Sequence, residues 1–442
     1  MSTTSRAYDI WLRKPEEAQE LLESKRADLD GDGLSLLSWL VLTNERDDRK
    51  AEQIAHQAVA AGGDTRFAAA ALAEAYKWRG DYGRAAQIVR QAREKYPTIP
   101  WYALTLADVL KDGGWIDDAE MILESVVNDS QLRRHALKRL SKWAVDRGDK
   151  ARALKYQTEL IALAPDYLVY ASDYTLLASL RLEAGDPAGA RDILQRGATI
   201  YPRNAQIKQM LHQHFGEVAP EKAPNIPPVD ERAVGARRIP IKTKMITLRT
   251  GILPIIQEAT QGMLQPDDIL ALSESPASAG QGRMIPLELI TPEGMAKQLS
   301  KFVGKIGPLH SPAGMQGAIL EAGRTKVLLG AAAGAAGKLV GKRGWFYRVA
   351  GPGAAMIDDV AAALPPHDHH LLFGPGRPDK LSEDLSAALG CHVCVVDANH
   401  LTGAWVVGAS KGVDRKWVEK VLSDNPAGNE DEQTPIVLIR KI

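Results

Sequence analysis

The chain has 442 residues, enough for two or three domains, and its apolar fraction of 45% and charged fraction of 25% are ordinary for soluble globular protein. Lys plus Arg and Asp plus Glu are equal at 55 each, so charge gives no argument for binding nucleic acid or an anionic membrane. Two cysteines, Cys391 and Cys394, exclude a disulfide framework and favour a reducing cytoplasm.

The sequence shows neither a secretory signal pattern nor a run long enough to span a membrane. The first residues, Met1–Arg6, lack the apolar core of a secretory signal, so we expect a cytoplasmic protein. The longest run of low polarity, Val327–Gly337, is too short to span a bilayer and stops at Lys338. We therefore expect no membrane association.

An aspartate-rich stretch near the start matches the beginning of an EF-hand loop. It is Asp28–Gly33, and its twelfth position would be Trp39, where calcium needs a bidentate glutamate. The mismatch favours a polar turn before a helix over Leu34–Leu42.

Residues from about 30 to 215 repeat with a period of 34. The glycines Gly80, Gly114 and Gly148 lie 34 residues apart, and Gly185 follows after 37. Alanines keep the same phase, at Ala51, Ala85, Ala119, Ala153 and Ala190. This period is typical of tetratricopeptide helix–turn–helix repeats, with a degenerate first unit around Leu36–Gly62.

The repeated residue types have packing roles. Small residues beside a leucine let two antiparallel helices approach, as at Leu72 and Ala73, and a Gly-Asp turn separates the helices, as at Gly80 and Asp81. Resemblance to tetratricopeptide arrays implies a peptide or protein partner in a concave groove. The alternative is a solenoid that serves only as a spacer or a dimerisation surface.

A change of composition marks the end of the repeats. Gly216–Arg238 contains four prolines among charged residues and has no apolar period, which predicts a semi-rigid connector. The predicted boundaries are repeats at 1–215, a linker at 216–238 and a second domain at 239–442.

The second domain mixes strand and helix patterns. Strands are predicted where apolar and polar residues alternate, where β-branched runs occur, and at Trp345–Val349. The predicted helices are Ile252–Gly262, Pro292–Val303, Gly314–Leu329 and Leu381–Leu389. Ser273–Arg283 is predicted to be a small-residue loop that lets backbone N–H groups approach phosphate. The pattern predicts an α+β domain with a mixed sheet.

One buried strand leads to an acid. Val393–Val396 is β-branched or small, and Asp397 follows it directly before a turn that ends near Gly403. A strand end is a rigid mount for an oxygen ligand of a hard cation. The alternative is that Asp397 only begins a turn.

Standard nucleotide signatures are absent. Gly337-Lys338-Leu339 is similar to the end of a P-loop, but it lacks the earlier glycine and the Ser/Thr that holds magnesium. A nucleotide site in this chain would have to be of another type.

Five motifs occur in order over about 200 residues: Ile239–Lys244, Ser278–Arg283, Leu372–Asp379, Val395–Asp397 and Thr434–Arg440. In this order they resemble the coenzyme F-420 gamma-glutamyl ligase family. The resemblance implies an enzyme that uses GTP and Mg²⁺ or Mn²⁺ to activate a substrate carboxylate as an acyl phosphate, which the amine of glutamate attacks. It also implies a homodimer.

The resemblance assigns metal ligands and nucleotide contacts. Asp397 and Asp358 match acids that bind the metal, and Glu432 lies in the late acidic loop that supplies a further acid. Glu274 and Ser275 fall where the family contacts GTP.

The sequence departs from the family's motifs at four positions: Ala279 for a phosphate-facing Lys, Gln281 for Glu, Ala361 for Asn and Ala398 for Thr. Loss of a cation near a phosphate weakens transition-state stabilisation. Either Arg283 or Lys242 replaces it near the nucleotide, or the domain has left the ancestral chemistry.

Other metal-like patterns have simpler interpretations. His367–His370 is predicted to be a polar loop, because adjacent residues do not converge easily on one ion. Cys391 and Cys394 lack a second pair for zinc and are predicted to be buried thiols.

Two functions from different classes are therefore predicted. The first is a GTP- and metal-dependent ligase that joins a carboxylate to a glutamate-like amino acid, coupled to a tetratricopeptide scaffold. The alternative is a catalytically silent ligase-like binding domain in an assembly or adaptor protein.

Overall fold

The structure is a computed structural model that describes residues 2–163, 169–202, 204–217, 226–303, 308–339, 344–357, 365–399, 403–428 and 432–442. Contacts group the chain into two compact units, each built from two stretches: Met1–Val126 with Gln281–Gly374, and Val127–Gly280 with Pro375–Ile442. This grouping differs from the boundaries predicted from the sequence, which stay a prediction.

Helices occupy the first half of the described chain. They are α1 (Thr3–Ile10), α2 (Pro15–Glu23), α3 (Gly31–Leu40), α4 (Asp48–Ala61), α5 (Arg66–Trp78), α6 (Tyr82–Lys95), α7 (Tyr102–Asp112), α8 (Ile116–Val126), α9 (Arg133–Asp146), α10 (Lys150–Ala162), α11 (Ala171–Glu183), α12 (Pro187–Ile200) and α13 (Ala205–Phe215).

Glycine turns separate the two helices of each later pair. Gly80, Gly114, Gly148 and Gly185 have φ values of 76°, 89°, 74° and 78°. Only glycine adopts this left-handed conformation without strain, so it ends the first helix and reverses the chain. The period in the sequence thus has the turn geometry that tetratricopeptide-like repeats require.

Aspartates begin the second helices. Asp81, Asp149 and Asp186 each accept a hydrogen bond from the backbone N–H three residues later, at the start of α6, α10 and α12. Such a cap satisfies an amide that has no partner inside the helix. The Gly-Asp pairs of the sequence therefore stop one helix and start the next.

Small side chains bring the paired helices together. The alanines that keep the 34-residue phase, Ala51, Ala85, Ala119, Ala153 and Ala190, are all fully buried. Burial of a methyl group here leaves no space for a larger side chain without separating the helices. The first half is a helical, tetratricopeptide-like solenoid, as predicted.

The degenerate first unit is also a helix pair, formed by α3 and α4. Asp30 accepts a hydrogen bond of 2.8 Å from the backbone N–H of Gly33 and so caps α3. Trp39, at the position where calcium would need a carboxylate, is buried in the helix. The aspartate-rich stretch therefore leads directly into a helix that begins at Gly31, three residues before the predicted helix start at Leu34.

The second half contains both helices and strands. They are α14 (Glu231–Val234), β1 (Ala236–Ile241), α15 (Leu253–Ala259), β2 (Ile269–Ser273), α16 (Glu274–Gly280), β3 (Met284–Pro286), α17 (Gly294–Leu299), α18 (Pro312–Ala322), α19 (Arg324–Leu339), α20 (Trp345–Ala350), α21 (Pro352–Ala355), β4 (His370–Leu372), α22 (Pro378–Leu389), β5 (His392–Asn399), β6 (Gly403–Ala409), α23 (Arg415–Val421) and β7 (Ile436–Lys441).

A five-stranded mixed sheet forms the centre of the second unit's α+β part. Its strand order is β1-β7-β2-β5-β6, in which β2 and β5 are parallel and the other neighbours are antiparallel. Alternate residues of the central strands face opposite layers, so Val393 and Val395 join one apolar core while Cys394 and Val396 join another. Both layers exclude water from the sheet.

β3 and β4 form a separate two-stranded sheet in the first unit. The 3₁₀ turn Leu287–Leu289 follows β3 directly. Together with α17 to α21, these elements make up the later stretch of that unit.

Two predicted elements were wrong in type or extent. Trp345–Val349 is helical, because Phe346 packs on Gly330 and Gly334 of α19 instead of joining a sheet. The predicted helix Gly314–Leu329 is broken at Gly323, whose φ is 89°. No helix among the described residues is long and apolar enough to span a bilayer.

Within the predicted linker, the described residues 226–238 contain a short helix and the start of a strand. Residues 218–225 lie outside the described chain, Glu231–Val234 is helical and Ala236 already begins β1. Arg238 forms an ion pair with Asp424, and each side chain is only 11% exposed. The sheet holds this end of the predicted connector.

Candidate functional site

Two of the predicted site residues lie near the carboxyl ends of the parallel strands β2 and β5 in the five-stranded sheet. Ser273 is in register with Val396 in the parallel pair β2–β5, so Glu274 and Asp397 follow at the same edge. The backbone N–H of Ser273 also donates to Pro435 (2.8 Å), which brings the segment before β7 to this edge.

Three more residues that the sequence singled out, Ser275, Glu432 and Lys242, belong to segments at the same edge of the sheet. Ser275 follows Glu274, and Glu432 precedes Pro435 by three residues. The backbone N–H of Thr243 donates to Gln433 (3.0 Å), so exposed Lys242 at the end of β1 belongs to this edge as well. Carboxyl ends of parallel strands are a common ligand position in mixed α/β sheets.

Asp397 does not end its strand. β5 continues to Asn399, and Asp397 pairs with Trp405 of β6 in a hairpin. The side chain is half-buried, and burial raises the pKa of its carboxyl above the ordinary value. Burial thus disfavours the ionised carboxylate of Asp397, and a nearby cation would stabilise that ionised form.

A metal centre is not formed by the described residues alone. Among them, no three His, Cys, Asp or Glu side chains are grouped so that they could hold a metal ion. Asp358, the other predicted ligand, lies outside the described residues. The metal assignments of Asp397, Asp358 and Glu432 therefore stay predictions.

The predicted phosphate loop is instead the helix α16. Ala277, Ser278, Ala279 and Gly280 are buried. A Cβ atom added to Gly280 would lie 2.3 Å from the side chain of Ile252, so the small residues serve close packing. Interior amides of this stretch are not presented to a phosphate as a loop would present them.

Arg283 belongs to the first unit and its guanidinium is engaged there. Nη2 forms an ion pair of 2.8 Å with Glu321, Nη1 donates to the carbonyl oxygen of Leu12 (2.9 Å), and Nε donates to the carbonyl oxygen of Gly374. The side chain is 11% exposed. These contacts stabilise the first unit, and the nucleotide role predicted for Arg283 stays a prediction.

Both cysteines are buried, as predicted. Burial raises the pKa of Cys391 to about 11 and that of Cys394 to about 12. The thiols are therefore protonated at neutral pH and are poor nucleophiles and metal ligands.

A second polar site lies in the first unit, where the first helices of two repeats contact the later stretch of chain. Thr105 of α7 donates a hydrogen bond to Oε1 of Glu288, and its Oγ1 lies 3.1 Å from Nε2 of His369. Arg66 of α5 donates to the carbonyl oxygen of Glu288 (3.2 Å) and to Oγ1 of Thr291. Residues from two repeats thus bind one turn of the chain itself.

Glu288 in this turn and the segment Asp368–His369 beside it are almost inaccessible to solvent. Glu288 is 3% exposed, Asp368 4% and His369 2%. A cavity of about 70 Å³ remains beside them, lined also by α5 and α7. The prediction of a polar loop at His367–His370 therefore missed its burial.

The histidines beside the cavity are held neutral. Burial lowers the pKa of His367 to about 4, and the Lys77 cation adds to the effect. Burial also lowers the pKa of His370 well below its ordinary value, and neighbouring His369 acts in the same direction. At neutral pH these imidazoles carry no charge into the site.

Sequence reasoning did not single out Thr105, Tyr102 or Glu288. A signal for Glu288 exists, because it is the one charged residue in the otherwise apolar run Met284–Ile290. Lone acids in apolar runs are buried only with polar partners. For Thr105 the repeat pattern offers no comparable signal.

Comparison with known proteins gives fold-level similarity only. No family model matches the sequence. No curated protein matches it. One similar solved structure is PilF of Pseudomonas aeruginosa, at 14% identity and a TM-score of 0.36 over 48% of this chain and 96% of that chain. Another is the type IV pilus biogenesis factor PilW, at 16% identity and a TM-score of 0.35 over 47% of this chain and 96% of that chain.

A tetratricopeptide repeat protein from Parabacteroides merdae is also similar, at 13% identity and a TM-score of 0.34 over 48% of this chain and 91% of that chain. Identities and TM-scores this low support no inference about function. The assignment of tetratricopeptide-like repeats therefore depends on the turns, caps and buried small residues described above.

Proposed function

We propose that the repeats act as an interaction scaffold whose first ligand is a segment of the same chain, Met284–Thr291. The contact of Arg66 and Thr105 with Glu288 carries this proposal. These two residues come from the first helices of successive repeats, so a single turn is recognised by two repeat units. A peptide or protein partner in the repeat groove is predicted from the resemblance, and here the chain supplies the peptide for the first repeats.

Polar anchoring favours a specific contact over incidental packing. Arg66 is oriented by Asp64, which accepts hydrogen bonds from Nε at 2.9 Å and from Nη2. A guanidinium fixed by one carboxylate loses little conformational entropy when it binds a second group. The repeat is therefore preorganised for the turn that it holds.

Hydrogen exchange of the amides in Met284–Thr291 tests this function. We expect Arg66→Ala and Thr105→Val to accelerate exchange in this segment, while exposed Arg90→Ala on α6 leaves it unchanged. Unchanged exchange in both contact variants, with the fold intact by circular dichroism, would contradict the proposal.

The ligase-like domain has two candidate roles, and Ala279 favours the silent one. Ala279 is 7% exposed inside α16, where the family resemblance implies a phosphate-facing lysine. A methyl group in a packed helix supplies no cation to phosphate. On this basis the domain is a binding module that does not form amide bonds.

A GTP- and metal-dependent ligase is the second candidate, and the shared sheet edge favours it. Glu274, Ser275, Asp397 and Glu432 all reach that edge, and Lys242 could supply a cation there. Thermal unfolding of the full chain with millimolar GTP and Mn²⁺ separates the two candidates. A nucleotide-dependent rise in Tm that Asp397→Ala and Lys242→Ala both abolish would support the ligase, whereas no rise supports the silent module.

A further inference from the structure

Between the first repeats and the segment that they hold, the first unit contains a polar cavity of about 70 Å³. A cavity needs only roughly 10–15 Å³ on this scale to hold one water molecule. The space therefore suits a ligand of several non-hydrogen atoms. α5 and α7 form one wall, and Pro286, Glu288 and residues 366–370 contribute to the other.

Four polar atoms that are shielded from solvent beside this cavity have no hydrogen-bond partner. They are Oη of Tyr102, Oε2 of Glu288, Nδ1 of His367 and Nδ1 of His370. Tyr102 is 5% exposed and Glu288 is 3% exposed. Unpaired buried polar atoms are unfavourable, and all four belong to residues that line this one cavity, which indicates a bound polar species.

The charge of the lining is negative. The described lining residues include three carboxylates, Glu74, Asp108 and Glu288, and one cation, Lys77. Nζ of Lys77 lies 2.5 Å from Oε1 of Glu74. Glu288 forms no ion pair with any residue in the described part of the chain, since Arg66 binds its carbonyl oxygen and not its carboxylate. A buried carboxylate without a counter-charge is unfavourable unless a cation accompanies it.

We infer that the cavity binds a small organic cation with N–H donors, of the alkylammonium or guanidinium class. Its positive charge would neutralise Glu288, and its N–H groups would donate to Oε2 of Glu288 and to the hydroxyl and imidazole acceptors around it. A divalent metal fits less well, because the described residues contain no group of three ligands arranged for one. An anion is disfavoured by the excess of carboxylates.

Neutral imidazoles suit this ligand. Burial holds the pKa of His367 at about 4, so at neutral pH His367 presents a lone pair and no competing positive charge. The hydrogen bond from Thr105 fixes Oε1 of Glu288, which leaves Oε2 for the ligand.

The site depends on the proposed contact between repeats and segment, so its test is run with hydrogen exchange of Met284–Thr291 as a parallel measurement. Isothermal titration of the full chain uses methylammonium chloride and, separately, millimolar guanidinium chloride, with NaCl, ZnCl₂ and sodium phosphate as comparators at equal ionic strength. We expect saturable binding of an organic cation and a ligand-dependent rise in Tm.

Glu288→Gln keeps the shape of the side chain and removes its charge, so we expect at least about tenfold weaker cation binding. Glu94→Gln, an exposed position on α6, should bind like the wild type. Tyr102→Phe serves as a second variant if Glu288→Gln is unfolded, and it should also weaken binding.

Several outcomes would overturn the inference. They are binding of Zn²⁺ or phosphate without binding of either organic cation, equal cation binding by Glu288→Gln and wild type, or no binding at tens of millimolar ligand. Protected amides in Met284–Thr291 without cation binding would reject the site and leave the scaffold function standing. Unprotected amides would reject the scaffold contact itself.

Discussion

Thr105 and Glu288 are joined by a hydrogen bond from Oγ1 to Oε1, although 183 positions separate them in the sequence. Thr105 lies on the first helix of a repeat, and Glu288 lies in a 3₁₀ turn after a short strand. The bond therefore connects the two stretches of chain that form the first unit. It also fixes one carboxylate oxygen while the other remains beside a cavity.

Removal of this hydroxyl should destabilise the first unit. Thr105→Val keeps the shape of the side chain but leaves Oε1 of Glu288 without its donor, so we expect a loss of about 1–3 kcal/mol in the free energy of unfolding. Urea denaturation monitored by circular dichroism measures this loss. Thr199→Val, an exposed position on α12, should change stability by less than about 0.5 kcal/mol, and equal effects would show that the buried bond has no special weight.

Acid should weaken the same contact through His367 and His370. Burial lowers both pKa values, to about 4 for His367, from an ordinary value of 6.5. Between these pH values the unfolded chain binds more protons than the folded one, so stability is complete above about pH 6.5 and falls as the pH drops toward 4. For His367 the loss is on the order of 3 kcal/mol.

Hydrogen exchange of Met284–Thr291 between pH 7.5 and 5, corrected for the intrinsic rate, measures this effect. The charges of Lys77, Glu74, Asp108 and His369 also act on the pKa of His367. His367→Gln should flatten the pH dependence, whereas His56→Gln, at a side chain that is 56% exposed, should not. A pH dependence that survives His367→Gln and His370→Gln would assign it to other groups.

The repeats could be predicted from sequence because their determinants are local. Gly80 and Asp81 lie between Ala73 on α5 and Ala85 on α6. Together these four residues fix the turn, the cap and the close helix contact within one period. Contacts of this kind recur every 34 residues and leave a periodic signal. The turn at Glu288 leaves no such signal, since its partners lie in distant repeats.

Tertiary packing decided the elements that sequence patterns missed. Aromatic and β-branched residues at Trp345–Val349 favour a strand, but Phe346 instead packs on the glycines of α19, and the segment is helical. The motif at Ser278–Arg283 did not reveal the ion pair between Arg283 and Glu321, because this carboxylate lies 38 positions away in the sequence. The strand that carries Asp397 was better predicted, because the run Val393–Val396 is a local pattern, although β5 continues past Asp397 to Asn399.

Gly317 should not tolerate a methyl group. A Cβ atom there would lie 2.4 Å from Cδ2 of Leu371 and 3.1 Å from the ring of Phe373. Alanine normally stabilises a helix by about 1 kcal/mol relative to glycine, but overpacking costs about 1–3 kcal/mol, so we expect Gly317→Ala to lower stability. Gly294→Ala is the matched control, because no atom lies within 4 Å of its added Cβ, and it should be neutral or stabilising in thermal unfolding.

Asp64 should make the stability of the first unit depend on pH in the acid range. Burial raises the pKa of its carboxyl, but the hydrogen bonds and charge of Arg66 outweigh burial and hold it below the ordinary value of 3.8. A lowered folded pKa gives stability that is present above about pH 4 and is lost as the pH falls below it. Asp64→Asn should therefore destabilise the protein by about 1–3 kcal/mol at pH 7 and by less at pH 3. Exposed Asp28→Asn is the control, and a difference that persists at pH 3 would contradict the ion pair as its cause.

Asp397 offers the opposite dependence and thereby tests the metal assignment. Burial raises the pKa of its carboxyl above 3.8, so the folded protein binds this proton more tightly and loses stability as the pH rises through that range. Without metal, Asp397→Asn should raise Tm at pH 7 and have no effect near pH 3. The control Asp384→Asn, at a side chain that is 60% exposed, should leave Tm unchanged at both pH values. If Asp397 binds Mn²⁺, added Mn²⁺ must raise the Tm of the wild type and leave that of Asp397→Asn unchanged. Equal Mn²⁺ responses in the two proteins would remove Asp397 from the candidate metal site, and with it the main chemical argument for a ligase.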